Sequence, residues 1–197
     1  MTLTPEQRTE ALVRHLAEHG HVDSDAIDDQ LARREDPGDD DASPALGARI
    51  VARAWTDPDY RARLLSDATG TISELVPQHI PLRVLEDTPE LHHVVVCTLC
   101  SCYPGGVLGS PPTWYKSFEY RSRVVREPRA VLAEFGMEVP DGVELQVVDS
   151  TSEQRYLVLP LRPQGTEGWS AEQLAALVTR DALIGTAWVE ARASLAP

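Results

Sequence analysis

The stretch VVVCTLCSCYPGG, residues 94–106, holds every cysteine of a 197-residue chain. Val94, Val95 and Val96 form an unbroken β-branched run, which reads as a strand. Pro104, Gly105 and Gly106 read as a turn. Cys97 thus ends a strand, and Cys100 and Cys102 follow between it and the turn. The rest of the chain is expected to supply strands that carry this loop and helices that cover them.

Working outward, PLRVLED (81–87) and HHVVVC (92–97) read as strands, as do VELQVVDS (143–150) and RYLVLPL (155–161), the last two joined by a short polar turn. Asp57 caps a helix that starts at Pro58 and runs to about Ser66, after a helical stretch over 45–56 with Ile50, Val51 and Trp55 on one side. Pro128 to Phe135 forms a helix that Gly136 stops. Ser170 and Gln173 make a capping box that opens a helix to about Arg180. Towards the N-terminus, Thr4, Pro5 and Gln7 start a helix that ends near Gly20, a second helix covers 25–34, and EDPGDDDASP (35–44) reads as an acidic linker rather than a cation site, because no EF-hand spacing is present. The pattern predicts an α+β class: a layered αββα-type metal-binding domain over residues 76–197, with an N-terminal helical extension over 1–75.

Composition narrows the function. With 31 acidic and 18 basic residues, the formal charge is −13; such a surface repels phosphate backbones, which argues against a nucleic-acid partner. Lys116 is the only lysine, which reads as genomic composition bias. No apolar run approaches a membrane span, and MTLTPEQRTEALVRHLAEHG lacks the basic and apolar regions of a secretory signal, so the expected location is the cytoplasm, without a membrane partner. Three cysteines cannot all pair within one chain, and a reducing compartment disfavours a structural disulfide. The cluster therefore reads as metal binding or redox chemistry.

Several chemistries compete for it. Structural zinc needs a fourth ligand, and His93 is a candidate, but along a strand it sits about 13 Å from Cys97. Cys97 and Cys100 form a C-x-x-C, yet no thioredoxin-like βαβ pattern surrounds them. Three buried, inert cysteines are a further reading. The spacing also suits another arrangement. Cys100, Ser101 and Cys102 offer two thiolates and two peptide nitrogens in one turn, and Cys97 adds a third sulfur. Deprotonated amides and thiolates are strong donors, which suit Co(III) or Fe(III), and a sixth position stays open for substrate. Thiolates so held can climb to sulfenate and sulfinate. His92 and His93 then read as ordinary strand residues.

VCTLCSCY resembles the metal loop of nitrile hydratase alpha subunits, shared with thiocyanate hydrolase. EDTPELHHVVVCTLCSCYP, VLGSPPTWYKSFEYRSRVVREPRAVLAEFG, RYLVLPLRPQGTEGWSAEQLAALVTRDALIG and RAWTDPDYRARLL are similar to the same family, so the resemblance covers nearly the whole chain. It implies a subunit that hydrates a nitrile to the amide, with Cys97 as axial thiolate, Cys100 as sulfinate, Cys102 as sulfenate, and Ser101 and Cys102 giving backbone nitrogens. The attacking oxygen comes either from water activated by the metal or from oxidised Cys102. Thr98 and Tyr103 resemble the cobalt type, with iron as the alternative. Gln78 matches a glutamine behind the ligands; its other reading is an exposed strand-edge residue. Glu153 and Arg155 match charged residues that support the loop; their other reading is a surface ion pair. The family further implies a beta-type partner subunit whose arginines reach the oxidised sulfurs, a metal-delivery activator protein, and a small-molecule nitrile as substrate.

One departure stands out. Most relatives carry Pro-Trp-Pro after the tyrosine, whereas this chain has Pro104, Gly105 and Gly106. Removal of an indole implies room for a bulky, heteroaromatic or nucleoside nitrile; the other reading is a more flexible loop. Thiocyanate hydrolysis and a non-catalytic metal-carrying interaction module are the competing functions.

Overall fold

The computed structural model describes residues 45–191 together with 11, 12, 14, 15 and 18–20. The chain divides into two compact units, residues 1–41 and 42–197. In the first, residues 11, 12, 14, 15 and 18 are helical, and the chain turns at Gly20 with φ +67. The expected start at Thr4, the helix over 25–34 and the linker over 35–44 lie outside the described residues.

The second unit begins with three helices: α1 (Ala45–Thr56), α2 (Pro58–Ser66) and α3 (Ala68–Ser73). Asp57 accepts a hydrogen bond from Tyr60 N at 2.9 Å, with Pro58 at the first helical position, so α2 begins where its capping residue dictates. Asp67 caps α3 in the same way through Gly70 N. Next come β1 (Leu82–Glu86), β2 (Leu91–Val96), four short helices α4 (Gly105–Leu108), α5 (Thr113–Lys116), α6 (Phe118–Arg123) and α7 (Pro128–Glu134), then β3 (Glu144–Asp149), β4 (Arg155–Leu159) and α8 (Ala171–Ala175). No described helix is long and apolar enough to cross a membrane.

The strands form two parallel pairs, β1 with β4 and β2 with β3. The short turn after β3 therefore joins strands of different pairs. Each strand finds its partner far back in the chain, because the valine run of β2 is buried throughout and parallel pairing with covered faces is what satisfies such a strand. Residues 183 and 184 link the pairs: Val95 N donates to Ile184 O at 2.8 Å, and Val158 N donates to Leu183 O at 2.9 Å. α2 and α3 pack on β1, and α7 packs on β3. The order helices, strand pair, strand pair, helix is the layered α+β arrangement. α1 to α3 share one apolar core with the strands, through Ile50, Tyr60, Leu64, Ile72, Val84, Val95 and Leu157. The expected boundary at residue 75 falls inside this unit.

α8 is shorter than its sequence suggests. Its capping box forms: Ser170 accepts from Gln173 N, and Gln173 accepts from Ser170 N. After Ala175 the chain tightens into i+3 turns, Leu177 to Leu174 and Val178 to Ala175. A continued helix would carry residues 183 and 184 away from the strand edges they bridge.

A buried polar staple sits below β2. Asp87 follows β1 and is 4% exposed. It accepts from His93 N at 2.9 Å, stands 3.0 Å from His93 Nδ1, and lies 2.7 Å from His92 Nδ1. Burial pushes the Asp87 carboxyl up, but the contacts from His92 and His93 outweigh it and hold the group below its ordinary range. A carboxyl depressed in the native state stabilises the fold above its ordinary value, and that stability drains as pH falls through the native value. Asp87→Ala is expected to destabilise the domain by about 3–5 kcal/mol in urea unfolding, because two buried imidazoles lose their anion. Asp87→Asn is expected to flatten the acid limb of a stability–pH curve.

Candidate metal centre

β2 ends at Val96, and the chain leaves the sheet as a loop that holds Cys97, Cys100 and Cys102 before α4 begins. Cys97 is buried, Cys102 half-buried and Cys100 exposed. The Cys97 and Cys100 sulfurs lie 3.4 Å apart, and those of Cys100 and Cys102 lie 3.2 Å apart. All three sulfurs fall within 4.8 Å of one another. The N–H of Cys100 points at Cys97 Sγ at 3.4 Å, and the N–H groups of Ser101 and Cys102 face Cys100 Sγ. The three sulfurs thus share one small volume, with the Ser101 and Cys102 N–H groups beside Cys100 Sγ. Their chemistry would suit a thiophilic ion, and no disulfide competes for the sulfurs.

Neighbouring elements hold the loop in this shape. Asp149 ends β3 directly opposite Val96. Its carboxylate accepts from Thr98 N at 2.9 Å and from Thr98 Oγ1 at 2.5 Å, which fixes the loop just after Cys97. Tyr115 on α5 donates to Cys102 O at 2.9 Å, and Tyr120 on α6 donates to Val95 O at 2.7 Å. Tyr103 meets the Tyr115 ring edge-on at 5.1 Å between centroids. Leu99, at the loop apex, is 86% exposed.

The other expected site residues are placed as follows. Arg155 opens β4; its Nε and Nη1 are buried without a hydrogen-bond partner among the described residues, and its charge acts on Cys102. Glu153 is exposed and forms no ion pair with Arg155 among the described residues, so the surface-pair reading does not hold. Gln78 lies in the irregular segment between α3 and β1, half-buried rather than on a strand edge, with Nε2 donating to Val76 O at 3.0 Å. Its amide is 3.6 Å from where a side chain on Gly106 would start. Ser101 is exposed. His93 is absorbed by Asp87, away from the sulfurs. Sequence reading misses Asp149 and Tyr115: Asp149 is recognisable only once β3 is known to pair with β2 in parallel.

Crowded sulfurs share protons. Hydrogen bonds from the Cys102 and Cys97 thiols favour a thiolate on Cys100 and hold it down to about 7. Burial, and then the hydrogen bonds with Cys100 and Cys97, push Cys102 up to about 12. In metal-free protein a single thiol is therefore expected to react with iodoacetamide along a titration centred near pH 7, with peptide mapping placing the label on Cys100.

The chain has relatives of known name. A family described as "Nitrile hydratase, alpha chain" matches residues 4–187. The chain is 51% identical over 182 residues to the cobalt-containing nitrile hydratase subunit alpha of Pseudonocardia thermophila, covering 90% of this chain and 87% of that one. It is 48% identical over 162 residues to the thiocyanate hydrolase subunit gamma of Thiobacillus thioparus, covering 73% and 65%. Among solved structures, a double histidine-to-alanine variant of the Fe-type nitrile hydratase from Comamonas testosteroni Ni1 superposes with a TM-score of 0.82 at 44% identity, covering 98% of this chain and 92% of that one.

Proposed function

The chain belongs to the nitrile hydratase alpha-chain family, and from that premise we propose that it is the metal-bearing subunit of a hydro-lyase that adds water to a bulky or heteroaromatic nitrile and releases the amide. The observation that carries this reading is the convergence of three sulfurs within 4.8 Å of one another, with the Ser101 and Cys102 amides beside Cys100 Sγ. Cys97, Cys100 and Cys102 hold the ion with the Ser101 and Cys102 nitrogens. Cobalt is the metal of the Pseudonocardia relative and iron that of the Comamonas structure; Thr98 and Tyr103 favour cobalt. The chemistry that a bound trivalent ion supplies there is Lewis acidity toward the nitrile and toward water.

The chain's own residues build the surroundings. Cys100 as sulfinate and Cys102 as sulfenate carry negative charge, and the Arg155 guanidinium beside Cys102 offers it a cation. Thr98 locked on Asp149 keeps the loop from swinging when substrate enters. Glu153, matched by the resemblance to a charged residue that supports the loop, stands exposed in the turn between β3 and β4. Gln78 borders the room beside Gly106, where its amide can orient a substrate. The exposed sulfur of Cys100 and the exposed Leu99 leave one side of the centre for a beta-type subunit to cover. The chain's acidity suits a basic partner. A metal-delivery activator and a cytoplasmic location complete the picture.

Room beyond the loop favours a large substrate. A first side-chain carbon on Gly105 would meet nothing within 4 Å, which leaves space where the indole would begin. The same openness disfavours thiocyanate, a small anion. The test is the chain co-purified with its beta-type partner, assayed for amide formation from acrylonitrile and from a pyrrolopyrimidine nitrile nucleoside. Amide formation with preference for the nucleoside is expected. Preference for acrylonitrile removes the bulky-substrate reading. Cobalt uptake without any hydration of nitrile or thiocyanate favours a metal-carrying module.

A further inference from the structure

Leu99, Cys100 and Ser101, the middle of the cysteine loop, are all exposed, so contacts at its two ends carry the task of aiming its donors. Thr98, bound through N–H and hydroxyl to Asp149, is the entry end. The exit end is Cys102, whose carbonyl oxygen accepts from the Tyr115 hydroxyl at 2.9 Å.

Cys102 is the residue at which such a bond matters most. Among the ligands proposed for the ion it gives both a sulfur and a peptide nitrogen, whereas Cys97 and Cys100 give a sulfur alone and Ser101 a nitrogen alone. With the Cys102–Tyr103 peptide plane held, one backbone rotation, about the Cys102 Cα–C bond, remains between that plane and both donors. Released, the plane turns as well and takes both donors with it.

Tyr115 is suited to hold that plane. It is fully buried, and its ring centroid lies 5.1 Å from that of Tyr103 and 5.8 Å from that of Tyr120. Packing therefore places the ring, and the hydroxyl is free to serve the loop. Burial holds the phenol well above its ordinary range, so it stays an O–H donor and takes no part in proton transfer. Tyr120 makes a comparable bond to Val95 O, but inside β2, where pairing with β3 already fixes the backbone.

We propose that Tyr115 is a positioning residue for the metal centre: its hydroxyl holds the Cys102 carbonyl and so aims the sulfur and the nitrogen of Cys102 together. The inference rests on the ligand set of the proposed function and adds to it a residue outside the loop.

The test compares the cobalt-grown complex of the full chain with its Tyr115→Phe and Tyr120→Phe counterparts, both of which keep the ring. In Tyr115→Phe the sulfur-to-cobalt charge-transfer absorption is expected to shift and cobalt loss to a chelator to quicken. Loss of an outer supporting partner costs roughly 10–100-fold, so kcat for amide formation is expected to fall about tenfold or more, with KM within about twofold. Replacement of Tyr115 by 4-aminophenylalanine, which restores a donor, is expected to return the absorption and the cobalt retention. Tyr120→Phe is expected to leave both as they are in the unsubstituted chain. Unchanged absorption and retention in Tyr115→Phe overturns the proposal, as does the same change in Tyr120→Phe or failure of the amino variant to recover. An unsubstituted complex that takes up no cobalt on sulfur overturns it together with the ligand set. Absorption and retention are read without substrate, so a complex that holds cobalt but hydrates no nitrile removes the nitrile reading alone.

Discussion

A Gly185→Ala chain is expected not to accumulate as a folded protein. Gly185 adopts φ +82, a conformation in which a side chain is strained. More decisively, a Cβ there would lie 1.8 Å from His93 O and 2.9 Å from His93 C. Both are backbone atoms of β2, so no rotamer change relieves the clash. The strand itself would have to move, and it cannot move alone. His92 Nε2 bonds Gly185 O at 2.9 Å, and Ile184 O accepts from Val95 N on the same strand. Separating this contact breaks the bridge between the two strand pairs. Overpacking and left-handed strain together cost more than about 3 kcal/mol, a large part of a domain's stability. Urea unfolding of any soluble fraction measures it; native-like stability would show that β2 and the 182–186 turn are not locked together.

The second large effect is at Cys97. Its side chain is fully buried and is the sulfur nearest the end of β2. Cys97→Ala leaves Cys100 and Cys102 with their amides but removes the donor that lies 3.4 Å behind Cys100. Metal content of the purified complex is expected to fall to background, and amide formation to fall by more than the roughly 10–100-fold that loss of an outer supporting partner produces. The fold should survive, because removal of one small buried side chain costs only about 1 kcal/mol or a little more. A folded Cys97→Ala complex with full metal content would assign the sulfur a packing role.

Much of this architecture is legible in the residues themselves. Val94–Val96 read as a strand because three successive β-branched residues suit an extended backbone. Asp57, Pro58, Ser170 and Gln173 mark helix starts because their side chains satisfy backbone groups locally. The cysteine loop is legible because its donors lie within six residues and need no distant partner. Features that depend on pairing across the chain are not legible. Asp149 reaches Thr98 only because β3 lies parallel to β2. Asp87 reads only as the last residue of a strand until β2 folds back over it and two imidazoles close on its carboxylate. Periodicity extends α8 to Arg180, but the need to bring residues 183 and 184 between the strand pairs ends it early. Arg155 reads either as a support of the loop or as half of a surface ion pair, and only the fold shows its Nε and Nη1 buried with its charge acting on Cys102.

The claim that three sulfurs and two peptide nitrogens of residues 97–102 hold the catalytic ion is tested most directly by metal-edge X-ray absorption on the purified complex grown with cobalt. Three sulfur neighbours with light-atom neighbours completing a six-coordinate, low-spin trivalent ion is the predicted result. A four-coordinate tetrahedral ion, or one without sulfur neighbours, would contradict it.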